Sequence, residues 1–302
     1  MEITIYHWII FLVFLVLMLV IDLGVFNKKS HAVSNKEALI WSAVWIILAL
    51  IFNAGVYWLY GHGKALEFLT GYLLEKSLSV DNLFIFVVLF GYFNVPKEYQ
   101  HKVLYWGIVG AIIMRGILIV IGTALIVKFH WIIYIFGGFL VITGIKMAFS
   151  DDEKVEPDKN PVVKLFKKFF PVKAEFVKDK FFIKENLKLF ATPLFIVLII
   201  VESTDLIFAF DSIPAILAIT HDPFIVFTSN AFAILGLRAL YFVFANFVDK
   251  FRFLKYGLAV VLVYIGIKML ISGFYQIPTL FSLTFLVVVL AISVLASVIK
   301  KK

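Results

Sequence analysis

Residues 66–93 read LEFLTGYLLEKSLSVDNLFIFVVLFGYF, a run long enough to cross a bilayer that carries Glu75, Lys76, Asp81 and Asn82 in its middle. Spanning a hydrocarbon core of about 30 Å takes roughly 20 apolar residues. A carboxylate at the centre of such a helix costs at least about 2.5 kcal/mol. A second run, 189–219, repeats the pattern with Glu202-Ser203-Thr204-Asp205 followed by Asp211. Both share Ser-x-Asp, at Ser79/Asp81 and Ser203/Asp205, and both have a Glu just upstream. Packing does not recover the cost of Glu75, Asp81, Glu202, Asp205 and Asp211 together. Such residues point to the passage of an ion or a proton.

The composition agrees. Of 302 residues 63% are hydrophobic and 16% charged, with a mean hydropathy of +1.02. A soluble domain is near half apolar and a quarter charged, so the chain is predicted to be a polytopic membrane protein. The net charge of +8 could suggest nucleic acid, but the basic residues lie in loops between apolar runs, so no nucleic-acid partner is expected. The sequence has no cysteine, which excludes thiolate metal sites, disulfides and thiol redox chemistry. The first run, 4–26, lacks a basic leader and a small-residue cleavage site, and reads as a retained helix.

Nine runs qualify as spans: 4–26, 39–60, 66–93, 103–127, 132–149, 189–219, 224–248, 253–274 and 280–299. They are continuously apolar, which favours an all-α bundle over a barrel. The sixth is too long for one straight crossing, and Pro193 and Pro214 predict a bent or interrupted helix there. Lys28, Lys29, Lys36, Lys97, Lys102, Lys250, Arg252, Lys255 and the lysines of 150–190 and 300–302 fall on one side of the membrane, Lys64 and Lys128 on the other. The excess marks the cytoplasmic side, so the amino terminus is expected outside and the carboxyl terminus inside.

An internal repeat is visible. Ser79-x-Asp81 recurs as Ser203-x-Asp205, Arg115 as Arg238, and Gly144-Ile145-Lys146-Met147 as Gly266-Ile267-Lys268-Met269. The offsets are 124, 123 and 122, in register across three helices. An odd number of helices per unit makes the two units cross in opposite senses, the inverted repeat of secondary transporters, whose site lies where the units meet. The expected organisation is one transmembrane domain: repeat one at about 66–149, a cytoplasmic linker at 150–188, repeat two at 189–274, and flanking helices 4–26, 39–60 and 280–299. The linker interleaves lysines and acids with Phe166, Phe169, Phe170, Phe176, Phe181 and Phe182, as expected of basic, aromatic segments lying on the anionic inner leaflet.

Glu75, Ser79 and Asn82 are spaced i, i+4, i+7 and share a helix face, with Asp81 off that stripe. Glu202 and Asp205 are i, i+3 neighbours, and Asp211 lies on another face. Convergence of these side chains therefore predicts local unwinding of one or both helices. Asp22, Glu75, Asp81, Glu202, Asp205 and Asp211 lie at depth against Lys76, Arg115 and Arg238, an excess of acid that suits a cation and not an anion. The histidines sit at span ends or in loops, so the donors are carboxylate, carboxamide and hydroxyl oxygen, which suits Mg²⁺, Ca²⁺ or Mn²⁺. Arg115 and Arg238 read as counter-charges, Lys76 as a tethered cation or a snorkelling side chain, and Asp22 as an interfacial acid or part of a proton path. Asn53, Asn230 and Asn246 read as interhelical glue. No phosphate-binding glycine loop, H-E-x-x-H or nucleophile elbow is present, so no enzyme and no prosthetic group is expected.

Residues 75–82, 103–115, Glu202 through Ile216, and 224–230 with Arg238-Ala239-Leu240-Tyr241 resemble the TerC family of integral membrane proteins, most closely its Alx-like branch. The resemblance covers nearly the whole chain outside the linker. It implies a bacterial inner-membrane protein related to the lysine-exporter and cadmium-transporter superfamily. It further implies manganese efflux, with links to alkaline pH, to metal loading of exported proteins and to tellurium resistance. On that reading Glu75, Asp81, Asn82, Glu202, Asp205 and Asp211 handle the divalent cation, with protons as the counter-ion. Two other functions are compatible with the residues: a membrane scaffold recruiting cytosolic partners through 150–190, and an amino-acid exporter.

Overall fold

A computed structural model describes residues 4–24, 34–129, 131–149, 161–173, 175–185, 188–245, 253–275 and 277–299. Asn246, which lies outside them, and the side chains of Asp22, Asp81 and Asp211 are not among what is described. The elements are α1 (Ile5–Gly24), α2 (Asn35–Tyr60), α3 (His62–Tyr92), α4 (Lys97–Lys128), α5 (Ile132–Phe149), α6 (Pro161–Phe169), β1 (Phe182–Glu185), β2 (Lys188–Ala191), α7 (Pro193–Leu217), α8 (Pro223–Leu235), α9 (Leu237–Phe244), α10 (Leu254–Ile271) and α11 (Thr279–Ile299).

Local chemistry sets the helix ends. Ser34 caps α2, its Oγ accepting from Glu37 N at 3.3 Å. Asp222 caps α8 by accepting from Phe224 N and Ile225 N, with Pro223 in the first turn, where its missing N–H has no partner to lose. Gly61, at φ +88°, ends α2 and starts α3, a backbone position that favours glycine.

Three helix pairings organise the bundle: α3 with α8, α4 with α7, and α5 with α10. The last is a close backbone approach. A Cβ on Gly266 would lie 2.6 Å from Gly137 O, and one on Gly144 would lie 2.8 Å from Ala259 O. Small residues of this kind let helices pack where no hydrophobic force drives them together. On the other flank α1 and α2 lean on an aromatic cluster, in which Phe11, Phe52 and Phe68 surround Phe232 at centroid distances of 4.9–6.0 Å. Outward faces stay apolar, with Ile113, Ile117 and Val120 of α4 more than half exposed, as lipid contact requires.

The expected spans are seen in part, and the structure departs from the sequence reading at the 189–219 run and in the linker. Among the described residues five helices (α2, α4, α5, α7 and α11) are long and apolar enough to cross a membrane, and a sixth span results if the bent pair α8–α9 counts as one. The apolar part of α1, Ile5–Ile21, is shorter, and α3 carries Glu75, Lys76 and Asp81 in its middle. The 189–219 run is not one bent helix. Its first residues form β2, and α7 then runs unbroken through Pro214. Pro193 starts α7, and Pro214 is one turn from its end, where the helix absorbs a missing N–H. The break falls in the next crossing instead, where α8 and α9 meet at Gly236 with a 40° bend. The chain is mostly helical, with one small exception. β1 and β2 form an antiparallel hairpin, Phe182 opposite Ala191 and Ile183 opposite Phe190, from aromatic and β-branched residues that suit strands. The hairpin crosses the expected linker boundary at 188, so the second unit's first helix begins at Pro193. The described part of the linker, from Pro161 on, packs on α7, with Phe166 and Phe182 against Phe195 at 5.2 and 4.3 Å, and Lys102 of α4 pairs with Asp179 at 3.1 Å.

Candidate ion site

Arg115 of α4 is the hub of the bundle. Its side chain is 2% exposed, and its guanidinium is held from three other helices. Nε donates to Asp205 Oδ2 at 3.1 Å and a terminal nitrogen to Asp205 Oδ1 at 2.8 Å, a bidentate clamp on α7. The other terminal nitrogen donates to Glu75 Oε1 on α3, to Ser212 Oγ at 3.3 Å and to Asn230 Oδ1 on α8 at 3.2 Å. The carboxylates are themselves held. Asn230 Nδ2 donates to Glu75 Oε2 at 3.1 Å, Ser79 Oγ to Glu75 Oε1 at 3.3 Å, and Asn82 Nδ2 to Asp205 Oδ1 at 3.0 Å. A buried charge survives only when paired and hydrogen-bonded, and this network meets both conditions.

The Glu75–Ser79–Asn82 stripe thus faces one centre, as the i, i+4, i+7 spacing predicts. The unwinding expected to gather the acids is not the means: α3 and α7 are continuous, and Arg115 joins Glu75 to Asp205 from a third helix. Among the described residues no group of three or more His, Asp and Glu side chains lies close enough to hold a metal ion. A cavity of about 10 Å³ opens beside the hub, lined by Glu75, Asn82, Arg115, Ser212 and the apolar Met147 and Phe208, room for one water or ion. A second of the same size is lined by Asp205 and by Arg238 of α9.

Glu202 lies one turn from Asp205, in a niche against Gly110 of α4 where any larger side chain would strike its carboxylate. Its Oε2 is buried with no hydrogen-bond partner among the described residues, and so is Asn82 Oδ1. Lys76 does not snorkel. Its Nζ donates to Ala233 O at 3.2 Å, in the last turn of α8, and a Cβ on Gly236 would come within 2.7 Å of it. The ammonium sits where a helix's negative end meets the bend.

Two groups lay outside the sequence reading. Ser212 contacts the hub one residue after Asp211, and a lone serine in an apolar run carries little signal. Glu67 accepts from Lys64 at 3.0 Å and from Thr220 Oγ1 at 2.6 Å, while Lys64 also pairs with Asp222 at 3.0 Å. This latch ties the start of α3 to the α7–α8 turn. Burial works to lower the Lys64 ammonium, but its bonds to Glu67 and Asp222 outweigh that and hold it above 10.5.

A polytopic helical bundle with a buried, charge-compensated polar centre defines an integral multi-pass membrane protein. The chain belongs to the TerC family of integral membrane proteins, whose family model matches residues 60–302. Relatives agree. “Uncharacterized membrane protein STKORF319” of Myxococcus xanthus is 50% identical over 98% of this chain and 92% of its own length. “Putative membrane-bound redox modulator Alx” of Escherichia coli K12 is 49% identical over 91% and 89%. A membrane protein of Rickettsia bellii is 42% identical over 97% of each. No solved structure matches the chain. None of these relatives carries an enzyme's name.

Proposed function

We propose that this protein exports a divalent metal cation, Mn²⁺ foremost, across the bacterial inner membrane in exchange for protons. The observation that carries the reading is that Asn82 Oδ1 and Glu202 Oε2, on the same two helices as Glu75 and Asp205, are buried without a hydrogen-bond partner among the described residues. Buried acceptors left unsatisfied are costly, and a cation is the ligand that satisfies oxygens without supplying N–H groups. Glu75, Asn82, Glu202 and Asp205 would hold it, joined by Asp81 and Asp211 from the same two helices. An all-oxygen set suits Mn²⁺, Mg²⁺ or Ca²⁺, and the choice of Mn²⁺ rests on the family resemblance.

Arg115 supplies the logic of exchange. While it holds both carboxylates, their charge is compensated and a metal ion gains little. When it swings from either one, a divalent cation can take its place, and a proton on the freed carboxyl resets the site. Metal and proton therefore compete for the same oxygens. The packing supports two inverted units within about nine crossings. α3 meets α8 as α4 meets α7, and α5 meets α10, the exchange of partners expected for units related by a two-fold axis in the membrane plane. The lysine-rich ends support an amino terminus outside and a carboxyl terminus inside.

The redox-modulator name of the Escherichia coli relative finds no thiol here, since the chain has no cysteine. A redox effect would act through the cellular level of a redox-active metal. The packing of the described part of the linker on α7 argues against that part serving as a free recruiting arm. Thermal unfolding of the purified protein in Mn²⁺, Mg²⁺ and Ca²⁺ tests the reading, because a ligand at a hundred times its Kd stabilises by about 2.7 kcal/mol. Mn²⁺ should raise the melting temperature of the parent and not of Asp205→Asn. No response to any divalent cation overturns the proposal.

A further inference from the structure

A second polar space shares no lining residue with the cavity at the Arg115 hub and is built differently. Where α5 and α11 begin and α7 and α10 end, a cavity of about 300 Å³ is lined by His221, Lys268, Ser272, Tyr275 and Thr279 over a floor that includes Met269. Lys268 is 8% exposed, yet its one described hydrogen bond runs from Nζ to Ser282 Oγ at 3.0 Å, a hydroxyl already shared with Tyr264 at the same distance. No carboxylate among the described residues lies within ion-pair distance of it. An ammonium carries three donors, and a buried one without a counter-charge is costly. Asp222, next in sequence to the cavity-lining His221, is committed to Lys64 and to the start of α8. The repeat sharpens the contrast: Lys146, the counterpart of Lys268, is exposed on its helix.

The first turn of α11, a helix of 21 residues, opens on the same cavity through Thr279, so the positive end of a helix adds to the lysine. Tyr275 of the lining is 65% exposed, and Phe274 and Trp131, within two residues of the lining residues Tyr275 and Ile133, are 93% and 58% exposed. Exposed aromatic rings at the end of a transmembrane bundle sit at headgroup depth. Beyond them the outward faces of α10 and α11 are apolar, with Val260, Ile267, Leu280 and Phe281 exposed.

The geometry points to a phosphate-binding site in this cavity, with Lys268 as counter-charge and the hydroxyls of Ser272, Tyr275 and Thr279 as further donors. Either a phospholipid headgroup, its chains lying along α10 and α11, or free phosphate could supply that oxyanion. The inference does not depend on metal transport.

The full-length protein, delipidated in detergent, is titrated with phosphatidylglycerol, with phosphatidylcholine and with inorganic phosphate, and followed by thermal unfolding and native mass spectrometry. Phosphatidylglycerol should raise the melting temperature and be retained as a bound lipid at about one per chain. Lys268→Gln should lose both effects, and Lys146→Gln should keep them. A response to inorganic phosphate as well assigns the site to the phosphate group itself, whereas a response to phosphatidylglycerol alone assigns it to the lipid. If Lys268→Gln does not fold, Tyr275→Phe with Thr279→Val replaces it and should weaken retention several-fold. Absence of any response in the parent, or an equal response in Lys268→Gln, leaves a water-filled vestibule and overturns the inference.

Discussion

Replacing Arg115 by Gln removes the only group that bonds to both Glu75 and Asp205 among the described residues. The guanidinium makes two bonds to Asp205, at 2.8 and 3.1 Å, and further bonds to Glu75, Ser212 and Asn230. Glu75 is fully buried and Asp205 is 4% exposed, so neither carboxylate can turn to water. Breaking a buried pair from one side costs about 3–5 kcal/mol, because a charge is left uncompensated. At about 2–4 °C per kcal/mol for a chain of this size, the melting temperature should fall by about 6–20 °C near neutral pH. Mn²⁺ should narrow the deficit, and by more than it stabilises the parent, because the ion then enters a site that Arg115 no longer fills. Fluorescence-detected size exclusion of heated samples at pH 7.5, with and without Mn²⁺, reads both effects. A variant as stable as the parent at pH 7.5 would refute the hub. A normal loss with no relief by Mn²⁺ would leave the hub as a structural clamp and no more.

Gly266→Ala places a Cβ 2.6 Å from Gly137 O and 2.8 Å from Val141 N, so α5 and α10 must separate, at about 1–3 kcal/mol. Gly138→Ala, with nothing within 4 Å, should be neutral or stabilising by up to about 1 kcal/mol in the same thermal assay. Lys64 titrates above 10.5 in the folded protein, so its latch contributes in full below that value and is lost as pH rises through the folded pKa. Between pH 9 and pH 11.5 the parent should therefore lose more stability than Lys64→Met does; parallel curves would remove the latch. Lys76→Met withdraws the cation from the end of α8 and should cost about 1 kcal/mol, where a snorkelling lysine would cost nothing.

What could be read from the chain alone follows from which interactions are local. The Glu75–Ser79–Asn82 stripe is a matter of helical period, and its three side chains do face one centre. Family membership was carried by short motifs spread along the chain and stands confirmed. Arg115 reads as a counter-charge and pairs with Glu75 and Asp205, but its position as the bridge between α3 and α7 depends on packing that no local pattern encodes. Pro214 drew the predicted break to the wrong helix: a proline near a helix end costs little, and the bend falls instead at Gly236, whose missing Cβ leaves room for the Lys76 ammonium. The hairpin at Phe182–Ala191 was hidden because its strands are four residues each, too short for alternation to stand out from the basic, aromatic linker around it.

Export by exchange is tested most directly in proteoliposomes, with Mn²⁺ in the compartment that faces the lysine-rich ends and a pH-sensitive dye reporting protons. An acid pulse on the opposite side should drive Mn²⁺ outward, and Mn²⁺ flux should carry protons the other way, with both movements absent from Asp205→Asn. Manganese flux that ignores the imposed gradient and moves no protons, or that persists in Asp205→Asn, contradicts the account.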